Sequence, residues 1–207
     1  MMPIRTLTLL LSCVFAMSHS VVRAQEASCT YDRAALLALD ENQFDQDMSG
    51  GWRALAATPG CAIAAADLLR AYREAHQTDS GTLFWHEGQM RAKSGQYPEA
   101  IALMTRSYKP ASVDRAGWNF YVDATIAFLS RNRAAFEQAK AKLAVVEPLV
   151  ADGMSPVIDG YVEVDMTDGS KMKFRWPLNI DVVERLGNCF NKPYAEAYTD
   201  ECPPDRR

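Results

Sequence analysis

Beyond residue 24 the chain has two histidines, His76 and His86, the side chains best suited to proton transfer near neutral pH. His86 is followed directly by Glu87. On a helix such neighbours project about 100° apart and do not converge on one ion. The chain has no His-Glu-x-x-His pair, Gly-x-Ser-x-Gly elbow, glycine-rich phosphate loop or dinucleotide fingerprint. The carboxylate pairs Asp45/Asp47 and Asp200/Glu201 fall in segments without periodicity and read as solvated charges. No nucleophile is distinguished. These patterns predict no catalysis, no cofactor and no metal, and His86-Glu87 reads first as polar helix surface.

The cysteines carry firmer chemistry. The chain opens MMPIRTLTLLLSCVFAMSHSVVRA, with Arg5 ahead of an apolar stretch from Leu7 to Met17 and Val22-Arg23-Ala24 as a cleavage site, which reads as a secretory signal peptide. Ser18, His19, Ser20 and Arg23 interrupt the apolar run before the 18 or so residues a retained membrane helix needs. A lipoprotein reading through Cys13 would place bulky Leu11 where a small residue is usual. The expected protein is therefore exported, periplasmic or secreted, with no transmembrane segment after cleavage near Ala24. Four cysteines remain, Cys29, Cys61, Cys189 and Cys202. In an oxidising compartment they imply two disulfides with three possible connectivities. One pair near each end favours Cys29–Cys61 and Cys189–Cys202. The second closes a loop short enough to add about 3 kcal/mol in the chain-entropy account. No Cys-x-x-Cys spacing supports zinc.

Removing residues 1–24 takes away two arginines and no acid, so the remaining charge is 20 − 26 = −6. Nucleic-acid binding rewards clustered Lys and Arg, so this balance argues against it. The 183 residues left, 207 − 24, suit one domain with a sizeable core.

Hydrophobic spacing organises the middle of the chain into paired helices. Gly81, Phe84, Trp85, Gly88 and Ala92 form one stripe, with Asp79 or Ser80 available as N-cap. After the Ser94-Gly95 break, Tyr97, Ala100, Ile101, Met104 and Tyr108 form another, with Pro98 in the first turn. Ala62, Ala65, Ala66, Leu69 and Tyr72 follow Pro59-Gly60 in the same way. Downstream, Trp118, Tyr121, Val122, Thr125 and Leu129 precede Asn132, and Phe136, Ala139, Leu143 and Val146 follow it. The breaks at Gly60, Gly95 and Asn132 are 35 and 37 residues apart, the period of a two-helix repeat. Trp52, Trp85 and Trp118 are 33 residues apart but precede their breaks by 8, 10 and 14, so they do not share one repeat position and read as core.

On these residues the segment 81–110 resembles a tetratricopeptide repeat, matched by Gly88, Gly95, Tyr97, Ala100, Met104 and the closing Pro110. Arg53 and Thr125 stand where the flanking units would carry their first glycine, so those units depart from the pattern. The resemblance covers residues 46–148. It implies that the first helix of each pair lines an inner groove, with Thr82, Trp85, His86, Gln89 and Lys93 exposed there and Asn119 and Asp123 in the next unit.

The tail changes period. Val162, Val164 and Met166 alternate with Glu163 and Asp165, and Met172, Phe174 and Trp176 with Lys171, Lys173 and Arg175, predicting a β-hairpin. A three-residue loop, Thr167-Asp168-Gly169, pairs Val164 with Met172 and Val162 with Phe174 on one face, and Asp165 with Lys171 and Glu163 with Lys173 on the other. Its apolar face is expected to be buried against the end of the helical array. Asn179 then offers a cap for a helix carrying Val182, Val183, Leu186 and Phe190, and Lys192-Pro193 starts a last one through Tyr194, Ala197 and Tyr198.

The expected architecture is mainly α: a short tetratricopeptide-like array of antiparallel helix pairs over residues 25–150, with a β-hairpin and two stapled terminal helices over 151–207. The expected role is non-catalytic binding of a protein or peptide partner in the cell envelope. The rivals are an inhibitor or immunity-type protein that binds one folded partner, and an enzyme whose acid or base is held in a cleft.

Overall fold

A computed structural model describes residues 29–148, 156–166, 169–199 and 202. The expected leader, the loop residues Thr167 and Asp168, and Asp200/Glu201 lie outside the described residues. The structure is mainly helical with one small antiparallel sheet. Its elements are α1 (Arg33–Leu37), a π-helical turn (Asn42–Gln46), α2 (Gly51–Ala56), α3 (Ala62–His76), α4 (Gly81–Lys93), α5 (Tyr97–Thr105), α6 (Trp118–Leu129), α7 (Arg133–Ala144), β1 (Tyr161–Asp165), β2 (Lys171–Arg175), α8 (Ile180–Asn188) and α9 (Tyr194–Ala197). Among these helices none is long and apolar enough to cross a membrane.

The helices pack as sequential pairs, α2 on α3, α4 on α5 and α6 on α7, joined by tight turns. Gly60 and Gly95 carry the left-handed backbone that ends a helix at φ +83° and +78°. At Gly88 a Cβ would lie 2.9 Å from Met104 Cγ and 3.1 Å from Ala100 O, so its missing side chain lets α4 and α5 approach. Asn132 accepts the Ala135 N–H and caps α7. Two other expected caps differ. Ser80 and Asn179 occupy the N-cap positions of α4 and α8, but neither side chain makes the capping bond, and Asn179 is left-handed at φ +65°.

Two apolar clusters result. One joins Phe44, Trp52, Leu55 and the inner face of α3 to Leu83 and Met90 of α4. The other joins Trp85 and Ala92 of α4 to α5, α6 and α7, and takes in Val183, Leu186, Phe190 and Tyr194. Disulfides Cys29–Cys61 and Cys189–Cys202 hold the two ends of this arrangement.

The hairpin has the register that its charges and parity demand, with Val164 opposite Met172, Val162 opposite Phe174, Asp165 opposite Lys171 and Glu163 opposite Lys173. Gly169 is left-handed at φ +81°. Burial of its apolar face is where the structure departs from expectation. Val162 is 1% exposed, but Val164, Met172 and Phe174 are 36%, 42% and 37% exposed. Rather than lying flat on the array, the hairpin is tied down at its base. Arg175 forms a two-pronged pair with Glu184, and Trp176 Nε1 donates to Val146 O at 2.9 Å. Farther out, Met166, Ser170 and Met172 border a cavity shared with Asn42 and Met48.

Gly88 and Gly95 give separable predictions. Gly88→Ala should cost about 1–3 kcal/mol by overpacking. Gly95→Ala, where nothing lies within 4 Å of the added carbon, should cost about 1–2 kcal/mol through left-handed strain alone. Urea unfolding of both variants checks this, and an unchanged midpoint for Gly88→Ala would refute the close α4–α5 contact.

Candidate functional site

The site grows from an irregular segment. Residues 42–46 wind as a π-helical turn, and Phe44 at its centre is fully buried, stacked on Tyr72 with ring centroids 3.8 Å apart. The next residue, Asp45, is carried inward and is 0% exposed. The chain must then reverse to begin α2 directly against this turn. Gly51 allows it at φ +52°, where a Cβ would sit 2.0 Å from Phe44 O. No other residue fits there. The reversal brings Trp52 and Arg53 back onto Asp45.

Reading Asp45 as a solvated charge is therefore overturned: it is a hub. Its Oδ1 accepts from Trp52 Nε1 at 2.8 Å and lies 2.6 Å from His86 Nδ1, and its Oδ2 accepts from Gln46 Nε2 at 2.6 Å. Its main-chain carbonyl accepts from Arg53 Nε at 3.0 Å. Burial alone would raise the carboxyl's pKa. Hydrogen bonds from His86 and Trp52, with the charge of Arg53, outweigh it and hold the group below its ordinary value. An ionised Asp45 only accepts, so Nδ1 of His86 carries the proton and Nε2 is the free ring nitrogen. Among the described residues nothing is bonded to Nε2.

His86 borders a cleft of about 690 Å³. One wall is a face of α4 where Thr82, Trp85, His86 and Gln89 follow at helical spacing and all reach the cleft, although, against the expectation of four exposed positions, Trp85 and Gln89 are buried and only Thr82 is exposed. Trp85 is 3% exposed and forms the floor, packed against Trp118 and Tyr121 at centroid distances of 5.0 and 4.8 Å. The opposite rim is the segment after α5, with Arg106 and Lys109. Tyr198 closes one end, and its hydroxyl accepts from Gln89 Nε2 at 3.0 Å. Beyond that bridge a second cavity of about 300 Å³ opens, bordered by Lys93, Met48 and Trp52, and Arg53, Gln89 and Tyr198 border both spaces.

The remaining groove candidates lie elsewhere. Asn119 clamps the segment after α5, donating to Lys109 O at 2.8 Å and accepting from Lys109 N at 2.9 Å. Asp123 accepts from the Tyr108 hydroxyl and borders a separate cavity with Lys142. Burial and the bond to Asp123 push the Tyr108 phenol far up. Spacing along one helix thus gathers residues into the cleft, whereas the register carried to the next helix does not. Arg53, Arg106, Lys109 and Tyr198 went unflagged because each reaches the cleft through tertiary packing. The nearest signal for Asp45 was Gly50-Gly51 behind it, which marks a sharp reversal.

Charge in the cleft runs against the charge of the chain. Among the described residues Arg53, Arg106 and Lys109 line it against one carboxylate, Asp79, which pairs with Arg106. Burial draws the Arg53 pKa down, and the charge of Asp45 offsets this only in part. Glu87, next to His86, points the other way. Its oxygens meet Arg91 and Arg73 between α3 and α4, a closed ionic cluster away from the cleft. Among the described residues no group of three or more His, Cys, Asp or Glu side chains is placed to hold a metal ion. No protein-family model, curated protein or solved structure matches the chain.

Because the Asp45 pKa is lower in the fold than its ordinary 3.8, the carboxylate stabilises the fold above that value and loses its contribution as pH falls through the lower folded pKa. Asp45→Ala should cost about 3–5 kcal/mol at pH 7, as expected when one member of a buried pair is removed. The gap to wild type should close in acid. Denaturant titrations at several pH values test this, and a pH-independent gap would show that Asp45 acts only by filling space.

Proposed function

We propose that the protein is an exported, tetratricopeptide-like binding protein whose cleft holds an extended anionic segment of a protein or peptide partner, without catalysis. The observation that carries this is the convergence of Thr82, Trp85, His86 and Gln89 on one concave wall faced by Arg53, Arg106 and Lys109. An aromatic floor with amide, imidazole and cationic groups around it suits a peptide's mixture of flat apolar and hydrogen-bonding surface. In a chain of net negative charge, a concave cationic surface concentrates the field and selects for anions. The two disulfides fit an oxidising compartment. The sequential helix pairs, with first helices bordering the cleft, support the repeat-like reading.

A second reading is favoured by one feature. A buried carboxylate orienting a histidine towards a cleft is also the arrangement of a general base. No Ser, Thr or Cys side chain among the described residues is hydrogen-bonded to His86, and in this reading the base activates water. Mass spectrometry of bound peptides after long incubation separates the two readings, since cleavage would establish catalysis.

Binding is tested by fluorescence anisotropy with acidic, neutral and basic pools of blocked dodecapeptides. The acidic pool should bind best and weaken with salt. Arg53→Glu should weaken it by about tenfold or more, while Lys171→Gln, on β2 and outside the cleft, should leave it unchanged. Equal binding of all pools, or indifference to Arg53→Glu, rejects the anionic-segment reading.

A further inference from the structure

We propose that anion binding in the cleft is coupled to uptake of a proton at Nε2 of His86, so that affinity rises as pH falls through the range in which imidazoles titrate. This rests on the anionic-segment reading and adds what regulates it.

The geometry leaves His86 a single role towards a ligand. Both oxygens of Asp45 are occupied, Oδ1 by His86 and Trp52 and Oδ2 by Gln46. The ring is thereby fixed with its Nδ1–H turned into the protein. Its side chain is 13% exposed, and that exposure is to the cleft. As a neutral ring it offers the cleft a lone pair, which repels a carboxylate oxygen. With a proton added at Nε2 it offers an N–H donor and a full positive charge, backed by the ionised Asp45 on the other ring nitrogen.

The charges around the ring come from several elements. Asp45 from the π-helical turn favours the imidazolium. Arg53 from α2 and Arg106 and Lys109 after α5 oppose it across the cleft, and Asp79 before α4 is already engaged by Arg106. Tyr198 at the end of the cleft brings a neutral phenol held by Gln89. Among the described residues the lining of the cleft thus carries more cations than carboxylates. A carboxylate placed among them cancels that opposition and itself rewards the proton. Linkage is reciprocal, so a ligand that draws in a proton is bound more tightly where protons are plentiful. A cationic or purely donor ligand would use the neutral ring, and its affinity would fall in acid.

The experiment uses the mature chain with both disulfides intact and, as probe, an N-acetylated, amidated dodecapeptide of alternating Glu and Ser. Isothermal titration between about pH 6 and 8, where the peptide stays ionised, is run in two buffers of different ionisation heat to count protons. The expected result is uptake approaching one proton per peptide and affinity rising by up to about tenfold per pH unit. His86→Gln should abolish the uptake and flatten the profile, while His76→Gln, whose ring is bonded to Leu37 O, should keep both. Imidazole ¹⁵N shifts of the wild type supply a reading independent of any variant's folding. At constant pH, adding peptide should convert the Nδ1–H form of His86 to imidazolium. Binding without proton uptake, with proton release, or with uptake that survives His86→Gln overturns the coupling and leaves the binding reading standing. Failure of the peptide to bind at any of these pH values removes both.

Discussion

A carboxylate taken fully out of water is among the more expensive things a fold can contain, with a penalty of several kcal/mol per ion unless donors replace the solvent. Asp45 is such a group, and the cleft takes its shape from the way this demand is met. Three donors are needed, and they come from three places: Gln46 beside it, Trp52 after the reversal, and His86 from α4, 41 positions along the chain. The requirement fixes the π-helical turn against α2, makes a glycine obligatory at position 51, and pins α4 through His86. Arg53 is held by the same residue through its carbonyl. One buried aspartate therefore orients the imidazole and the guanidinium that reach the ligand space.

The rest of the architecture keeps that arrangement from relaxing. Helix α4 contributes to both apolar clusters, through Leu83 and Met90 on one side and Trp85 and Ala92 on the other. Its remaining surface is divided between the closed Glu87 cluster and the cleft. The cleft thus follows a seam between two packed bodies, a common place for a binding space because neither body can fill it alone. Each body is stapled. Cys29–Cys61 closes the chain around the π-helical turn and α2, and Cys189–Cys202 constrains the segment that carries Tyr198. Cys29 and Cys61 are 32 positions apart and Cys189 and Cys202 are 13, so the first link removes the more chain entropy.

What could be read from the sequence tracks the range of the interaction that determines it. Helix pairs, their glycine breaks and the hairpin register follow from periods of 3.6 and 2 and from turn chemistry, all of which act within a few residues. Thr82, Trp85, His86 and Gln89 could be grouped because they share one helix face. Asn119 and Asp123 could not be placed with them, because their relation to α4 depends on how α6 packs. Asp45 was illegible for the same reason: its segment has no period, and its partners are declared only when α4 arrives. The hairpin shows both sides of this rule. Its pairing was decided locally, but what its apolar face would meet was a tertiary matter, and Val164, Met172 and Phe174 stay half-open.

Helix α4 also shows how a buried charge that serves the fold differs from one that serves a site. Glu87 and His86 are adjacent, both largely withdrawn from solvent, and both bonded to side chains of other elements. Glu87 has each oxygen matched by an arginine, so its chemistry is complete within the protein. His86 is matched on one nitrogen only, and the other meets open space. A fold seeking stability alone gains little from burying Asp45, since apolar side chains of equal volume commonly serve as well or better. The carboxylate is intelligible as the means of holding an imidazole whose second nitrogen is kept free. That unfinished valence, rather than the presence of a histidine, distinguishes this face of α4.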